Sequence, residues 1–431
     1  MGKVGGSPES SILEMARYEA RFLERFVPSM GGSVHWGLER IRKFLKNTGD
    51  PHVNYPVIHV GGTNGKGSVA KSLSEILNKS KYRVGLYTSP HIFDINERIQ
   101  INNKKISSKE LNEILGIVID KQKKANIQLS YFELLTVASI FYFSKAKNNI
   151  NIFEVGLGGK YDATNVIDSQ ISIITNVSKD HTEYLGNTIS KIAKEKVGIV
   201  KKDSYLITSA NGIGLKVIKN CASKKTNKIF IYNKDFKVIP HNNINKFISE
   251  RDFFYQTNLI GSHQIKNISL SIKACEILNR FFNKNISTNN ISKSLININW
   301  PARFQILSNN PLKIIDVAHN IDSVQNLIDN IRNLYPKKKF NILVAMLKDK
   351  EPQKCINLLL PFSKKIFFFD LKHKRSFKFS DIIKKIKSKK VVKGSDKDIE
   401  LLMKNNDSLL ITGSLYFIGE KFKKYKKKLK F

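Results

Sequence analysis

Lys66 sits inside Gly62-Thr63-Asn64-Gly65-Lys66-Gly67-Ser68, between the apolar run Pro56-Val57-Ile58-His59-Val60 and a helical pattern. A glycine-rich turn from a strand into a helix aims several backbone N–H groups at one anion, at the positive end of the helix. Gly62, Gly65 and Gly67 let that backbone approach phosphate oxygens, and Lys66 adds a mobile positive charge. The chemistry implied is nucleotide phosphate binding. The spacing departs from the usual phosphate loop, because Gly67 follows Lys66 where a Ser or Thr hydroxyl would reach Mg²⁺. Ser68 comes one place late, so another oxygen must serve the metal.

Later strand-like runs end in suitable groups: Ser89, Glu154 and the pair Asp180-His181. In open α/β sheets, ligands gather outside the carboxyl ends of strands. Mg²⁺ takes mostly oxygen ligands and keeps waters, and a neutral imidazole is a less usual but tolerable ligand. Alone, each residue reads as a turn cap, a salt-bridge partner or a loop histidine. Together, beside a phosphate loop, they read as a metal site.

The elements that must position these groups alternate along the chain. Strand patterns fall at 56–60, 83–89, 151–158, 171–177 and 204–210, and helical ones near 68–80, 108–124, 130–146 and 188–200. Residues 8–48 also read as helical, 220–250 as a polar Asn/Lys-rich stretch, and 259–278 as a turn and helix. Trp300-Pro301 breaks the pattern, which restarts with strands at 313–320, 340–347, 365–370 and 408–414 and helices at 322–334 and 352–359. The expected fold is α/β: an N-terminal P-loop-type, mainly parallel sheet with helices on both faces, plus a smaller C-terminal Rossmann-like α/β domain. The boundary is placed at 298/299, giving domains 1–298 and 299–431.

Composition narrows the partners. The 431 residues carry a formal charge of +37, almost all from lysine spread along the chain with abundant Asn and Ile. That reads as compositional drift more than a binding patch, so no specific nucleic-acid partner is expected. Cys221, Cys275 and Cys355 are odd in number and far apart, which fits a reducing cytoplasm. The N-terminus lacks an apolar signal segment, and the apolar stretch 131–143 carries Glu133 and is too short to span a bilayer. A cytoplasmic protein without membrane contact is expected.

The ordered set GGTNGKGS, TSPHIFDINERI, FEVGLGGKYDATN, NVSKDHTEYLG, IAKEKVGIVK, GSHQIKN, WPARFQ, DVAHN and ITGS resembles the folylpolyglutamate synthase/dihydrofolate synthase family of the Mur ligase superfamily. The resemblance runs from about residue 33 to 414. It implies an ATP-dependent amide ligase that adds L-glutamate to dihydropteroate, to folates or to both, through an acyl phosphate, and commonly works as a monomer. Thr63, Asn64, Gly65, Lys66, Gly67 and Ser68 would hold the ATP phosphates, and Ser89, Glu154 and His181 would match the family's Mg²⁺ ligands. Lys196 matches a lysine carried as a carbamate; Arg303 one that reaches the phosphates; Asn267 and Asp316 nucleotide contacts, with His319 close by. The catalytic set implied is Lys66, Lys196, His181 and Arg303.

The pterin or folate is placed by the resemblance near Ser130, Tyr131, Phe132, Glu133, Tyr161, Asp162 and Ala163, with Ser33, Val34 and His35 lining the same pocket by position. Two departures stand out: Ala302 where the family often has Gly, and Ile321 after Asn320 where Pro is usual. Both alter backbone near the nucleotide, and neither removes a reacting group. The competing readings are another Mur-type ligase of cell-wall precursors, against which FEVGLGGKYDATN speaks, and a nucleic-acid-associated P-loop ATPase. The latter would want a strand-ending Asp for Mg²⁺ and a clustered basic groove.

Overall fold

Apolar runs bounded by turns become two sheets in the computed structural model, which describes residues 37–53, 55–241 and 244–427. Ser33, Val34, His35 and most of the 8–48 helix lie outside the described residues; the part of that helix within them is Glu39–Lys46. The first sheet is built from β1 (Val57–Gly61), β2 (Val84–Tyr87), β3 (Ile99–Ile101), β4 (Lys104–Lys105), β5 (Ile150–Glu154), β6 (Ile171–Ile174), β7 (Tyr205–Thr208) and β8 (Ile229–Ile231). Its spatial order is β4-β3-β2-β5-β1-β6-β7-β8, parallel from β2 through β8 with the β3–β4 edge antiparallel.

Both faces are covered, as expected for a sheet whose strands are apolar throughout. Ile58 and Val60 pack with Val69, Leu73, Ile268 and Ile272 from the helices Lys66–Lys79 and Ser262–Phe281. Val57 and Phe153 face Leu135 and Ala138 of the helix Tyr131–Lys145. That helix is started by a capping box between Ser130 and Glu133 and is buried on most sides. No helix among the described residues is long and apolar enough to cross a membrane.

The 220–250 stretch departs from its polar reading. It contains β8 and most of an antiparallel sheet, β9 (Lys237–His241), β10 (Ile244–Ile248) and β11 (Phe253–Tyr255), in the order β11-β10-β9. Only one face of it is buried, through Val238, Phe247 and Tyr255, while Lys237 and Lys246 stand on the other and dilute the apolar signal.

The second sheet comprises β12 (Gln305–Asn309), β13 (Leu312–Asp316), β14 (Phe340–Ala345), β15 (Ser363–Phe368), β16 (Val391–Lys393) and β17 (Leu409–Gly413), in the order β12-β13-β17-β14-β15-β16. All neighbours are parallel except the β12–β13 edge. Trp300 packs on the first core, whereas Ala302 and Phe304 belong to the second. The chain also crosses in the other direction. Phe93, from the segment after β2, is buried with Phe417 and Phe422 in the second domain's core. Beside it Lys426 pairs with Asp94, and Gly419 accepts the close approach of the Ile92 carbonyl.

Candidate active site

Sheet register brings the separated motifs level. Val60 lies beside Glu154, Gly61 beside Ile174 and Tyr87 beside Phe153, so the loops after β1, β2, β5 and β6 leave from one edge. Two residues past β2, the Ser89 N–H donates to Glu154 Oε2 at 3.1 Å. Glu154 is 5% exposed. Burial raises its pKa, opposed by Lys66, by the Ser89 N–H and by Arg303 and Arg98.

The phosphate loop is tied down by its own backbone. Gly65 caps the helix Lys66–Lys79 in the left-handed conformation at φ 84°. A Cβ there would lie 2.4 Å from Asn267 Oδ1. The Thr63 and Asn64 N–H groups donate to Asn176 Oδ1 at 3.2 and 2.9 Å. Lys66 Nζ folds over the loop onto the Gly62 and Thr63 carbonyls, at 3.2 and 3.1 Å. Gly65→Ala adds a left-handed backbone penalty of roughly 1–2 kcal/mol and pushes Asn267 aside. Apparent ATP affinity is expected to fall about tenfold, read as the KM for ATP in an ADP-release assay; an unchanged KM would show that the loop does not bind nucleotide.

Past β6, Asp180 and His181 meet the second domain. Lys350 Nζ pairs with Asp180 Oδ1 and lies 3.1 Å from His181 Nε2. Asn320 Nδ2 donates to Asp180 Oδ2 at 2.9 Å, and Asn64 Nδ2 donates to Asp322 Oδ2 at 2.7 Å. Burial and then the Lys350 cation depress the His181 pKa to about 3, so the imidazole is neutral, with Nε2 accepting from Lys350 and the proton on Nδ1. Burial alone would raise Asp180; His181 and Lys350 overcome it and hold the carboxyl well below the usual range. Asp349, buried close by, has neither carboxylate oxygen hydrogen-bonded. Lys196 is 3% exposed. Burial first, then Lys66, lower its pKa to about 7.

From the second domain, Arg303 donates to the Pro301 and Ala302 carbonyls at 3.4 and 3.2 Å and lies over the Trp300 ring at 5.8 Å. Asp316 accepts the Phe304 and Ala318 N–H groups at 2.7 and 2.8 Å, so it organises its loop. Burial pushes its pKa up to about 6. His319 Nδ1 meets the Val317 carbonyl at 2.8 Å, and burial takes its pKa down to about 4. Both departures have backbone explanations. Ala302 sits at φ 56°, the left-handed region glycine favours, with its methyl fully buried and its carbonyl accepting Val317 N–H at 3.1 Å. Ile321 is the first residue of the helix Ile321–Leu334, capped by Asn320. A proline is well suited to that position but not required.

These groups line one cleft of about 620 Å³ between the domains. Thr63, Asn64, Gly65, Lys66, Gly67, Ser68, Ser89, Glu154, His181, Asn267, Arg303, Asp316 and His319 all face it, as do Ser130, Phe132, Glu133, Tyr161, Asp162 and Ala163. Lys196 and Tyr131 do not: both are buried behind the wall, Tyr131 with Arg98 at 5.9 Å over its ring. Glu133 is already engaged by Arg40 at 2.6 Å and by the Ser130 N–H at 2.7 Å. Gly156 makes room for Phe132, whose ring a Cβ would meet at 2.5 Å.

Lys350, Arg375, Arg98 and Tyr416 also line the cleft and were not expected from sequence. Lys350 had a usable signal, since Asp349-Lys350 follows the end of β14. Arg375 lay hidden in a lysine-rich loop. Ser89, Glu154 and His181 offer a hydroxyl, a carboxylate and a neutral imidazole whose accepting nitrogen, Nε2, faces Lys350. This donor set fits a magnesium ion that takes its remaining ligands from phosphate and water. Among the described residues no three His, Cys, Asp or Glu side chains form a closed metal cage.

Residues 60–275 match the Mur ligase middle domain, and residues 302–415 match the Mur ligase glutamate ligase domain. The chain is 32% identical over 410 residues to the dihydrofolate synthase/folylpolyglutamate synthase of Bacillus subtilis, covering 90% of this chain and 95% of that protein. It is 30% identical over 343 residues to the dihydrofolate synthetase of Saccharomyces cerevisiae, covering 76% and 79%. The crystal structure of folylpolyglutamate synthase from Thermotoga maritima superposes with a TM-score of 0.79 at 29% identity, over 96% of this chain and 100% of that one. The chain belongs to the folylpolyglutamate synthase/dihydrofolate synthase family of the Mur ligase superfamily, and is an ATP-dependent ligase that adds glutamate to folate or dihydropteroate substrates.

Proposed function

We propose that the reaction runs across the interdomain cleft, with ATP on the loop after β1, the pterin or folate toward Phe132, Tyr161 and Ala163, and L-glutamate toward Lys350 and Arg375. The observation that carries this is the single cleft lined by the phosphate loop, the Ser89–Glu154 pair and the Arg303 guanidinium from the opposite domain. A free carboxylate must be activated before an amine can attack it. The substrate carboxylate attacks the γ-phosphorus of ATP, ADP leaves, and an acyl phosphate forms. The glutamate amine then attacks the acyl carbon, losing a proton, and phosphate leaves.

Positioning and charge neutralisation carry most of the first step. Lys66 neutralises phosphate charge from the loop side, and Arg303 spreads a planar guanidinium over it from the other domain. Asn267, Asp316 and His319 hold the nucleotide's surroundings. Ser89, Glu154 and His181 would hold Mg²⁺, which supplies Lewis-acid charge at the phosphate oxygens. The lowered pKa of Lys196 supports its carbamylation, since only the neutral amine adds CO₂. Lys350 and Arg375 offer the positive charge that glutamate's carboxylates need.

The division into domains 1–298 and 299–431 is supported to within a few residues by the change of core between Trp300 and Ala302. Cys221, Cys275 and Cys355 are free, which supports a reducing compartment such as the cytoplasm. The test is product mass. With ATP, Mg²⁺ and L-glutamate, one added glutamate on dihydropteroate alone makes the enzyme a dihydrofolate synthase, and gains on tetrahydrofolate as well make it bifunctional. ADP release with neither acceptor would overturn the assignment of the cleft.

A further inference from the structure

His59 lies in the middle of β1, three residues before the phosphate loop, and is completely buried. Its Nε2 is 2.8 Å from Thr164 Oγ1. The Thr164 hydroxyl donates in turn to Asp162 Oδ1, which also accepts the Thr164 N–H at 3.0 Å. Asp162 Oδ2 accepts the Leu157 N–H at 2.8 Å. Asp162 reaches the cleft beside Phe132, Tyr161 and Ala163. A buried side chain in a sheet layer is thus joined to the cleft wall by one hydroxyl.

The directions of these bonds can be deduced. A threonine hydroxyl has one proton, and here the Asp162 carboxylate takes it. Thr164 Oγ1 can therefore only accept from His59, which puts the imidazole proton on Nε2. That leaves Nδ1 as a buried acceptor, and it has no hydrogen-bond partner. An orphaned buried acceptor costs stability, and a phenylalanine of similar shape at this place in β1 would avoid it. A residue whose sole role was to fill the layer gains nothing from being histidine. Burial also keeps the ring neutral, with a pKa of about 3, so its donor and acceptor sides do not switch near neutral pH.

We propose that His59 is a positioning residue for the pteridine end of the substrate, acting through Thr164 to fix the direction and rotamer of the Asp162 carboxylate. An aminopyrimidinone ring presents N–H donors along one edge, and a carboxyl held in a fixed direction is a group that recognises them; burial raises the Asp162 pKa, opposed by the Thr164 hydroxyl and by the Leu157, Thr164 and Gly156 N–H groups. Without a donor at position 59, Thr164 Oγ1 is no longer pinned from the sheet side, and its bond to Asp162 Oδ1 no longer has one fixed direction. The inference rests on the proposed placement of the pterin at this end of the cleft.

Five variants of the full-length enzyme, one of them the H59F/T164V double, test it, with KM measured separately for ATP and for whichever acceptor, dihydropteroate or tetrahydrofolate, is turned over. H59F is expected to raise the acceptor KM about tenfold, the worth of one buried hydrogen bond, and to leave the ATP KM unmoved. H59Q, whose amide can still donate to Thr164, restores most of the affinity. T164V reproduces the H59F defect, and H59F adds nothing in a T164V background, because a residue acting through another is silent once that other is gone. T164V also answers the question if H59F fails to fold. Equal defects for ATP and acceptor, H59Q as impaired as H59F, or additive effects of H59F and T164V would each overturn the proposal. Asp162→Asn separates the two levels. If it leaves the acceptor KM unchanged, the placement of the pterin fails and this inference with it. If it raises the acceptor KM while H59F and T164V do not, this inference alone falls.

Discussion

Lys66→Ala is expected to lower ADP release roughly 10²- to 10³-fold, the usual consequence of deleting one preorganised charge at a reacting phosphate. Lys350 pairs with Asp180, Lys196 is buried behind the wall, and Arg303 approaches from the opposite domain, so none of these three takes the loop-side position of Lys66. The fold is expected to survive, because Lys66 Nζ bonds only to the Gly62 and Thr63 carbonyls, which water can satisfy. There is a second effect. Lys66 is one of the charges that hold Lys196 down, so its removal shifts Lys196 toward the protonated form. ADP release measured with both acceptors, beside a thermal melt, checks the claim. A folded Lys66→Ala enzyme with parental turnover would sink the phosphate-loop assignment.

Stripping CO₂ from the buffer is expected to depress turnover, and added bicarbonate to restore it. The change is set at roughly 10- to 100-fold, the range for losing an outer-shell partner of a metal site. Lys196→Arg, which keeps its charge at all working pH values, should lose the same activity and ignore bicarbonate. The sign of the pH dependence follows from the lowered Lys196 pKa of about 7. Neutral amine accumulates as pH rises through that value, so bicarbonate restores activity better at pH 8 than at pH 6. The same shift bears on stability. Between about 7 and the ordinary lysine value of 10.5, the unfolded chain holds a proton that the folded chain does not. This group therefore makes the protein more stable as pH rises across that window. Intact mass under mild conditions offers a direct reading of one added CO₂. Equal activity with and without CO₂ would remove the carbamate from the mechanism.

Much of this architecture was legible because each signal was local. β1 and its glycine turn, the Ser130 capping box and the apolar strands β13, β14 and β17 are written in consecutive residues. The strand-end rule placed Ser89, Glu154 and His181 on one edge before any register was known. What stayed hidden was long-range or one-faced. The β9–β11 sheet buries a single face, so its mean hydropathy looks like a loop. Lys350 and Arg375 gain their meaning only when the second domain sets them against Asp180, His181 and Asp349. The roles of Asp316 and Glu133 were only half legible. They face the cleft, yet their carboxylates are also used by Phe304, Ala318, Arg40 and Ser130.

The crossings between the domains have a mechanical consequence. One is the covalent passage at Trp300, and another is Phe93 seated among Phe417 and Phe422. Ile260 of the first domain also packs against the second core. The halves therefore cannot slide apart without extracting a buried aromatic ring, at a cost of about 1.5–3 kcal/mol. Lys350 and Asn320 belong to the second domain, and any separation of the two must also part their bonds to Asp180.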